Sequence, residues 1–107
     1  MNVLFICSRN NWRSPTAAAI YQNKQGLNVK SAGTEPSAKT RASSKLILWA
    51  DIIFVMEKKH KLRLLDRFSE ELKGKKLVIL DIEDEYAYMN PELVDMIKIS
   101  VDPYLIT

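Results

Sequence analysis

Apolar residues gather in four short runs along the chain. The first, NVLFI, is almost wholly apolar, as expected of a strand that is covered on both faces of a sheet. The run DIIFVM has the same character. Together the runs predict strands at residues 2–6, 28–31, 51–56 and 76–82.

Helical patterns fill the intervals between these runs. Ser14 suits an N-cap, Pro15 suits a first helical turn, and the AAA run behind them favours helix. Elsewhere apolar side chains recur three or four residues apart, as on the buried face of a helix. The pattern predicts helices over residues 14–24, 41–49 and 58–72, and a last helix capped by Asn90.

The order of these elements predicts the fold class. Strands that alternate with helices, without hairpin turns between them, pair in parallel through crossover helices. We expect an α/β fold, a small three-layer sandwich in which helices flank a four-stranded parallel sheet, as one domain over residues 1–107. Ligands bind beyond the carboxyl ends of such strands. Cys7 ends the first strand and Asp84 follows the fourth, so both should lie at that edge.

Composition narrows the class of protein. Hydrophobic residues make up 47% and charged residues 27% of the 107 residues, which is typical of a globular domain. No apolar stretch reaches the roughly 18 residues of a membrane span, and no secretory signal pattern precedes the first strand. A single cysteine forms no internal disulfide and offers no cysteine-rich zinc site. We therefore expect a cytoplasmic protein without membrane contact.

Charge is distributed unevenly along the chain. Residues 1–48 carry seven Lys and Arg against one Glu, whereas residues 77–107 carry one Lys against seven acids. The basic residues are scattered and are not interleaved with aromatics, so the pattern does not favour a nucleic-acid partner. A site for a small anion is sufficient to explain the basic part.

The sequence CSRNNWRSP, at residues 7–15, offers such a site. A strand that breaks into a short loop and restarts as a helix presents backbone N–H groups and a positive helix end to an anion. The same field would stabilise a thiolate on Cys7. Arg13 would fork two N–H bonds onto phosphate oxygens, which lysine cannot do with the same geometry. Five intervening residues are enough to wrap a phosphate.

The motif resembles the Cys-x5-Arg-Ser signature of the low-molecular-weight protein tyrosine phosphatases, placed as in that family at the end of the first strand. The stretch SAGT at residues 31–34 is similar to a stretch after the family's second strand. The order of elements matches over essentially the whole chain, and the closest resemblance is to a short bacterial branch of predicted tyrosine phosphatases.

The resemblance implies roles for individual residues. Cys7 would be the nucleophile, Arg13 the phosphate clamp, Asn10 a brace for the loop, and Ser14 a hydrogen-bond donor to the thiolate. The substrate would be a phosphotyrosine protein or a small phosphomonoester, and no cofactor or metal would be required. We call residues 7–14 the Cys7 loop; its expected phosphate-binding members are Cys7, Ser8, Arg9, Asn10, Asn11, Trp12, Arg13 and Ser14.

The family's general acid lies in an Asp-Pro-Tyr segment before the last helix. Here DPY occurs at residues 102–104, near the chain end, where it more readily stops the last helix. Alignment by topology instead assigns the acid to Asp84. Trp12, Tyr86 and Tyr88 are then the candidates for the walls of the substrate pocket. Neighbouring acidic residues favour the protonated form that a donor requires.

Three departures from the family stand out. Arg9 replaces a glycine, Trp12 replaces a second cysteine and so removes a disulfide partner for Cys7, and Glu85 replaces the proline after the acid. Trp12 has the alternative of packing beneath the loop. We expect His60, the only histidine, to be solvated at a helix start and without a role in the reaction.

Other functions remain open at this stage. A lone cysteine that ends a strand is often only packed in the core, and Tyr86 and Tyr88 could be ordinary exposed loop residues. An arsenate reductase would need further cysteines, and a cysteine phosphocarrier would lack Arg13. The serious alternative to a phosphatase is a phosphate-binding module of the same fold without turnover.

Overall fold

The computed structural model describes residues 1–105. Strands and helices alternate through this range in the predicted order. In chain order the elements are β1 (Asn2–Cys7), α1 (Arg13–Tyr21), β2 (Asn28–Gly33), α2 (Ser44–Trp49), β3 (Ile52–Val55), α3 (Lys58–Phe68), β4 (Lys76–Ile79) and α4 (Pro91–Leu105).

The four strands form one parallel sheet in the order β2-β1-β3-β4. Strand β1 lies inside the sheet, and its residues 3–6 are completely buried, as their uniform apolar character predicts. The direction of strand succession reverses between β1 and β3. Such a switch point opens a crevice at the carboxyl ends of the strands, where Cys7 lies.

Helices cover both faces of the sheet. On one face α1 and α4 bury an apolar cluster that includes Phe5, Tyr21 and Phe54, with Phe5 stacked on the other two rings at centroid distances of 5.9 and 5.3 Å. On the other face α2 and α3 contribute Ile47 and Leu64 to a second cluster. The predicted three-layer α/β sandwich is confirmed.

Several element ends differ from the prediction. Helix α1 begins at Arg13, with Trp12 as its N-cap residue, because the hydroxyl of Ser14 is engaged inside the Cys7 loop. Helix α2 is shorter than predicted, since Ser43 caps it by accepting a hydrogen bond from the backbone N–H of Leu46 at 3.3 Å.

The predicted stop at Asp102 and Pro103 is wrong, because α4 continues to Leu105 with Pro103 inside it. The carbonyl that loses its helical N–H partner to Pro103 is that of Ile99, a residue that is 75% exposed, so solvent can satisfy it. Asp102 also accepts a hydrogen bond from Tyr21, which holds the last turn against α1. None of the described helices is long and apolar enough to cross a membrane.

Candidate active site

The Cys7 loop turns at a single left-handed residue, Asn10, whose φ is 54°. Asparagine tolerates this conformation better than most residues. Arg9 is not among the residues with positive φ. The loop therefore accommodates the arginine side chain without backbone strain at that position.

Polar side chains inside the loop form a short chain that ends at Cys7. Asn10 Nδ2 donates to Ser14 Oγ at 2.9 Å and to Ser31 Oγ at 2.9 Å. Ser14 Oγ lies 3.0 Å from Cys7 Sγ. Ser14 Oγ accepts from Asn10, and its own hydrogen has two acceptors within reach, the Cys7 sulfur and the Ala32 carbonyl at 3.4 Å. When the hydrogen points to the sulfur, which is the nearer of the two, it stabilises a thiolate.

Arg13 is held by partners on two other segments, the residue before α3 and the segment after β4. Its side chain is only 1% exposed, and Nη1 donates to Glu57 Oε2 at 2.6 Å and to the carbonyl of Ile82 at 2.8 Å. Burial acts to raise the pKa of Glu57, but the hydrogen bond and the charge of Arg13 hold that pKa below its usual value. Glu57 is therefore ionised, and the guanidinium plane is fixed at the floor of the site.

The end of β2 supports the loop from behind. Backbone N–H groups of Thr34 and Glu35 donate to the carbonyls of Cys7 and Ser8 at 3.0 and 2.9 Å. Gly33 permits this approach, since a Cβ there would lie 2.5 Å from the Ser8 carbonyl oxygen and 2.9 Å from the Asn10 nitrogen. The SAGT stretch is thus a backing for the loop, and its glycine is required by space.

Asp84 lies on the segment between β4 and α4, at the same end of the sheet as Cys7. Its side chain is 54% exposed, and Oδ1 lies 3.6 Å from Arg13 Nε. The segment is fastened by Ile82, through Arg13, and by Met89, whose backbone N–H donates to Thr16 Oγ1 at 3.0 Å. Next to Asp84 in the chain, Glu83 raises the pKa of Glu85 through a hydrogen bond and its negative charge.

A cavity of about 470 Å³ joins these groups. It opens above the Cys7 loop and brings together most of the residues expected to bind phosphate with the expected acid. Its lining residues are Cys7, Ser8, Arg9, Asn11, Trp12, Arg13, Glu35, Lys59 and Asp84. Asn10 and Ser14 lie behind the lining, where they hold the loop.

Only one of the three expected aromatic pocket walls lines this cavity. Trp12 is 43% exposed at the rim, so it does not pack beneath the loop. Tyr86 is not among the lining residues, and its side chain packs against the apolar cluster that α1 and α4 cover. Tyr88 is not among them either and lines a neighbouring cavity, which Trp12 also lines.

Two residues at the start of α3 belong to the site although the sequence analysis missed them. Glu57 pairs with Arg13, and His60 Nε2 lies 2.9 Å from Ser8 Oγ. The prediction that His60 is solvated is wrong, since the residue is completely buried. The spacing Glu-x-x-His at a helix start, which forms a capping box here, was the available signal. In residues 1–105, no group of three or more His, Cys, Asp and Glu side chains is placed to hold a metal ion.

Comparison with known proteins places this geometry in context. No family model matches the sequence. A curated relative, a protein-arginine-phosphatase from Geobacillus stearothermophilus, is 34% identical over 92 residues, with 64% of this chain and 62% of that protein covered. The match therefore spans less than two thirds of the relative's length.

Solved structures match over nearly the whole chain. Vibrio vulnificus Wzb in complex with benzylphosphonate superposes with a TM-score of 0.78 at 21% identity, covering 96% of this chain and 95% of that one. A low-molecular-weight protein tyrosine phosphatase from T. tengcongensis gives 0.76 at 21% identity, covering 98% and 97%. The chain has the fold of the low-molecular-weight protein tyrosine phosphatases. The YwlE arginine phosphatase from Geobacillus stearothermophilus gives 0.72 at 24% identity, covering 97% and 92%.

The fold that the resemblance implied is thus confirmed. Within this low-molecular-weight phosphatase fold the chain keeps Cys7 and Arg13 at the two ends of the loop and carries Arg9 and Trp12 between them. Both of these side chains line the cavity above Cys7. They give this protein a more cationic and more aromatic cavity than the signature residues alone would supply.

Proposed function

We propose that this protein is a phosphomonoester hydrolase, a protein phosphatase that works through a phosphocysteine intermediate on Cys7. The observation that carries the proposal is the convergence of three groups on one cavity. The Cys7 sulfur faces the Ser14 hydroxyl at 3.0 Å, the Arg13 guanidinium is immobilised by Glu57, and the Asp84 carboxyl lies 3.6 Å from that guanidinium. These are the parts that nucleophilic phosphoryl transfer needs.

In the first step the Cys7 thiolate attacks phosphorus and forms an S–P bond. The bond from phosphorus to the leaving oxygen breaks, and that oxygen takes the proton of Asp84. Arg13 and the loop N–H groups stabilise the charge that spreads over the three phosphoryl oxygens. In the second step a water attacks phosphorus and gives its proton to Asp84, the S–P bond breaks, and the thiolate returns to its hydrogen bond with Ser14.

The substrate class is a phosphorylated protein. Phosphotyrosine is our first candidate, because the cavity has an aromatic residue, Trp12, at its rim. Phosphoarginine is the second, on the strength of the protein-arginine-phosphatase relative. It is a phosphoramidate and not a phosphomonoester, so with this substrate the P–N bond breaks and the Asp84 proton goes to the leaving guanidinium nitrogen. A nucleophilic thiol must stay reduced, and with no second cysteine to protect Cys7 a reducing compartment, the cytoplasm, is the location we propose.

The test is hydrolysis of p-nitrophenyl phosphate at mildly acidic pH by the wild type and by Cys7→Ser, followed by release of phosphate from phosphotyrosine and phosphoarginine peptides. We expect turnover by the wild type and none by Cys7→Ser. Wild-type binding of inorganic phosphate without turnover would instead support a phosphate-binding module. The ratio of rates on the two peptides decides between the substrate candidates.

A further inference from the structure

A buried histidine outside the expected machinery contacts the Cys7 loop. His60 is the third residue of α3, and none of its surface is exposed. Its Nδ1 accepts a hydrogen bond from the backbone N–H of Glu57 at 3.0 Å. An accepting Nδ1 requires the hydrogen of the neutral ring to be on Nε2. The ring therefore donates from Nε2 to Ser8 Oγ, which lies 2.9 Å away.

This direction of donation fixes what the Ser8 hydroxyl can do. Because Ser8 Oγ accepts from His60, its own hydrogen points to another acceptor. Ser8 is the residue after Cys7 in the loop, and it lines the cavity. A phosphoryl oxygen held by Arg13 in that cavity is a strong acceptor for this hydrogen.

The surroundings of His60 keep its ring in the neutral form, with the hydrogen on Nε2. Burial, together with the positive charge of Arg13, lowers the pKa of His60 to about 4, so the ring is neutral at mildly acidic and neutral pH. The turn that carries His60 also carries Glu57, which holds Arg13. The start of α3 thus contacts the loop near both of its ends.

We propose that His60 is a positioning residue, which orients the Ser8 hydroxyl as a hydrogen-bond donor to phosphate bound in the Cys7 cavity. The inference rests on the proposed function only in requiring that the cavity bind phosphate. It adds a second side-chain donor, besides Arg13, to the backbone N–H groups of the loop. It also assigns a role to a helix start that has no place in the hydrolysis steps above.

The test is a double-mutant cycle read by equilibrium titration with inorganic phosphate. Ser8→Ala removes the donor. His60→Asn keeps an acceptor for the Glu57 N–H but does not reach Ser8. We expect the dissociation constant to rise about tenfold for Ser8→Ala, as for a lost hydrogen bond to a charged group, and severalfold for His60→Asn. In a protein that already carries Ser8→Ala, His60→Asn should change the dissociation constant less than twofold, because the two substitutions act through the same hydroxyl.

Three controls separate positioning from general damage. Leu62→Asn places the same residue on an exposed site of α3 and should leave phosphate affinity unchanged. His60→Gln, which restores a donor of similar reach, should recover part of the affinity. If thermal unfolding shows that Ser8→Ala has lost its fold, Ser8→Thr takes its place in the comparison. Ser8→Thr keeps the hydroxyl and should keep part of the phosphate affinity.

The outcomes distinguish this inference from the proposed function. Three outcomes would overturn the inference. The two substitutions could weaken phosphate affinity independently, so that their effects multiply in the double variant. Phosphate affinity could be unchanged in both single variants, or the wild type could fail to bind phosphate. If the wild type binds phosphate with the expected pattern but hydrolyses no p-nitrophenyl phosphate, the inference stands and the hydrolase proposal fails.

Discussion

The hydroxyl of Tyr21 donates a 2.5 Å hydrogen bond to Asp102 Oδ1. This contact ties the only Asp-Pro-Tyr sequence in the chain to helix α1 on one face of the sheet. Burial and the Asp102 carboxylate both raise the pKa of Tyr21, so the hydroxyl remains a donor at all ordinary pH values. Asp102 therefore has a structural partner, and Asp84 is the aspartate that lines the cavity with Cys7.

The first prediction follows from this contrast. Asp84→Asn should slow hydrolysis of p-nitrophenyl phosphate by a factor of about 10²–10⁴, as expected when a general acid is lost. Asp102→Asn is the matched control; it should keep kcat and KM and lower only the melting temperature. Comparison of kcat for the two variants checks the assignment. A crippled Asp102→Asn beside an active Asp84→Asn would reverse it.

A second prediction concerns the partner of Arg13. Glu57→Gln leaves a guanidinium that is 1% exposed without its carboxylate, which should lower the free energy of unfolding by about 2 kcal/mol and raise KM. The control is Glu70→Gln, which breaks an exposed pair with Lys73 and should change stability by less than about 0.5 kcal/mol. Urea unfolding of both variants measures the difference. Equal small effects would mean that Glu57 does not hold Arg13.

The third prediction uses the close approach at Gly33. Gly33→Ala places a methyl group 2.5 Å from the Ser8 carbonyl oxygen, so the Cys7 loop must shift. We expect destabilisation by about 2–3 kcal/mol and weaker phosphate binding. Gly26→Ala meets open space at a φ of +85° and should cost about 1 kcal/mol without affecting phosphate binding. Unaltered phosphate affinity in Gly33→Ala would show that the loop does not depend on this backing.

Two parts of the site could be predicted from the sequence because they follow from general rules about sheets. An almost wholly apolar β1 implies a central strand, and the end of such a strand is where a ligand site opens. The same rule brought Asp84 to the edge that Cys7 occupies. The Cys-x5-Arg-Ser spacing then assigned the chemistry, since both ends of the motif lie within one loop.

The remainder of the site depends on contacts between distant segments. Glu57 is 44 positions from Arg13, and His60 is 52 positions from Ser8. Lysines on both sides of His60 suggested solvent, yet its ring lies on the inward face of α3. The surroundings of Tyr86 also depend on such contacts, because its side chain packs against the core cluster instead of lining the cavity.

The fourth prediction concerns the aromatic rim. Trp12→Ala should raise KM for p-nitrophenyl phosphate about fivefold, which corresponds to about 1 kcal/mol of lost aromatic contact, and should leave the inhibition constant of inorganic phosphate unchanged. Tyr88→Ala is the control, since Tyr88 lines the neighbouring cavity, and its KM should match that of the wild type. A rise in KM for Tyr88→Ala alone would mean that the substrate ring lies in the neighbouring cavity.

The fifth prediction is a pH dependence of stability that originates at His60. The pKa of this ring is about 4 in the folded protein and 6.5 in the unfolded chain, so the unfolded state binds more protons between these values. The neutral ring therefore contributes about 3 kcal/mol to the free energy of unfolding above pH 6.5, and this contribution is lost as the pH falls toward 4. The pKa of Glu57 is also lowered, so this residue makes the protein less stable at acidic pH in the same way. Glu57 is present in both the wild type and His60→Asn, so its effect does not distinguish them. Urea unfolding should therefore show that the free energy of unfolding falls less between pH 7 and pH 4 for His60→Asn than for the wild type. Equal falls in the two proteins would mean that the surroundings do not hold the ring neutral.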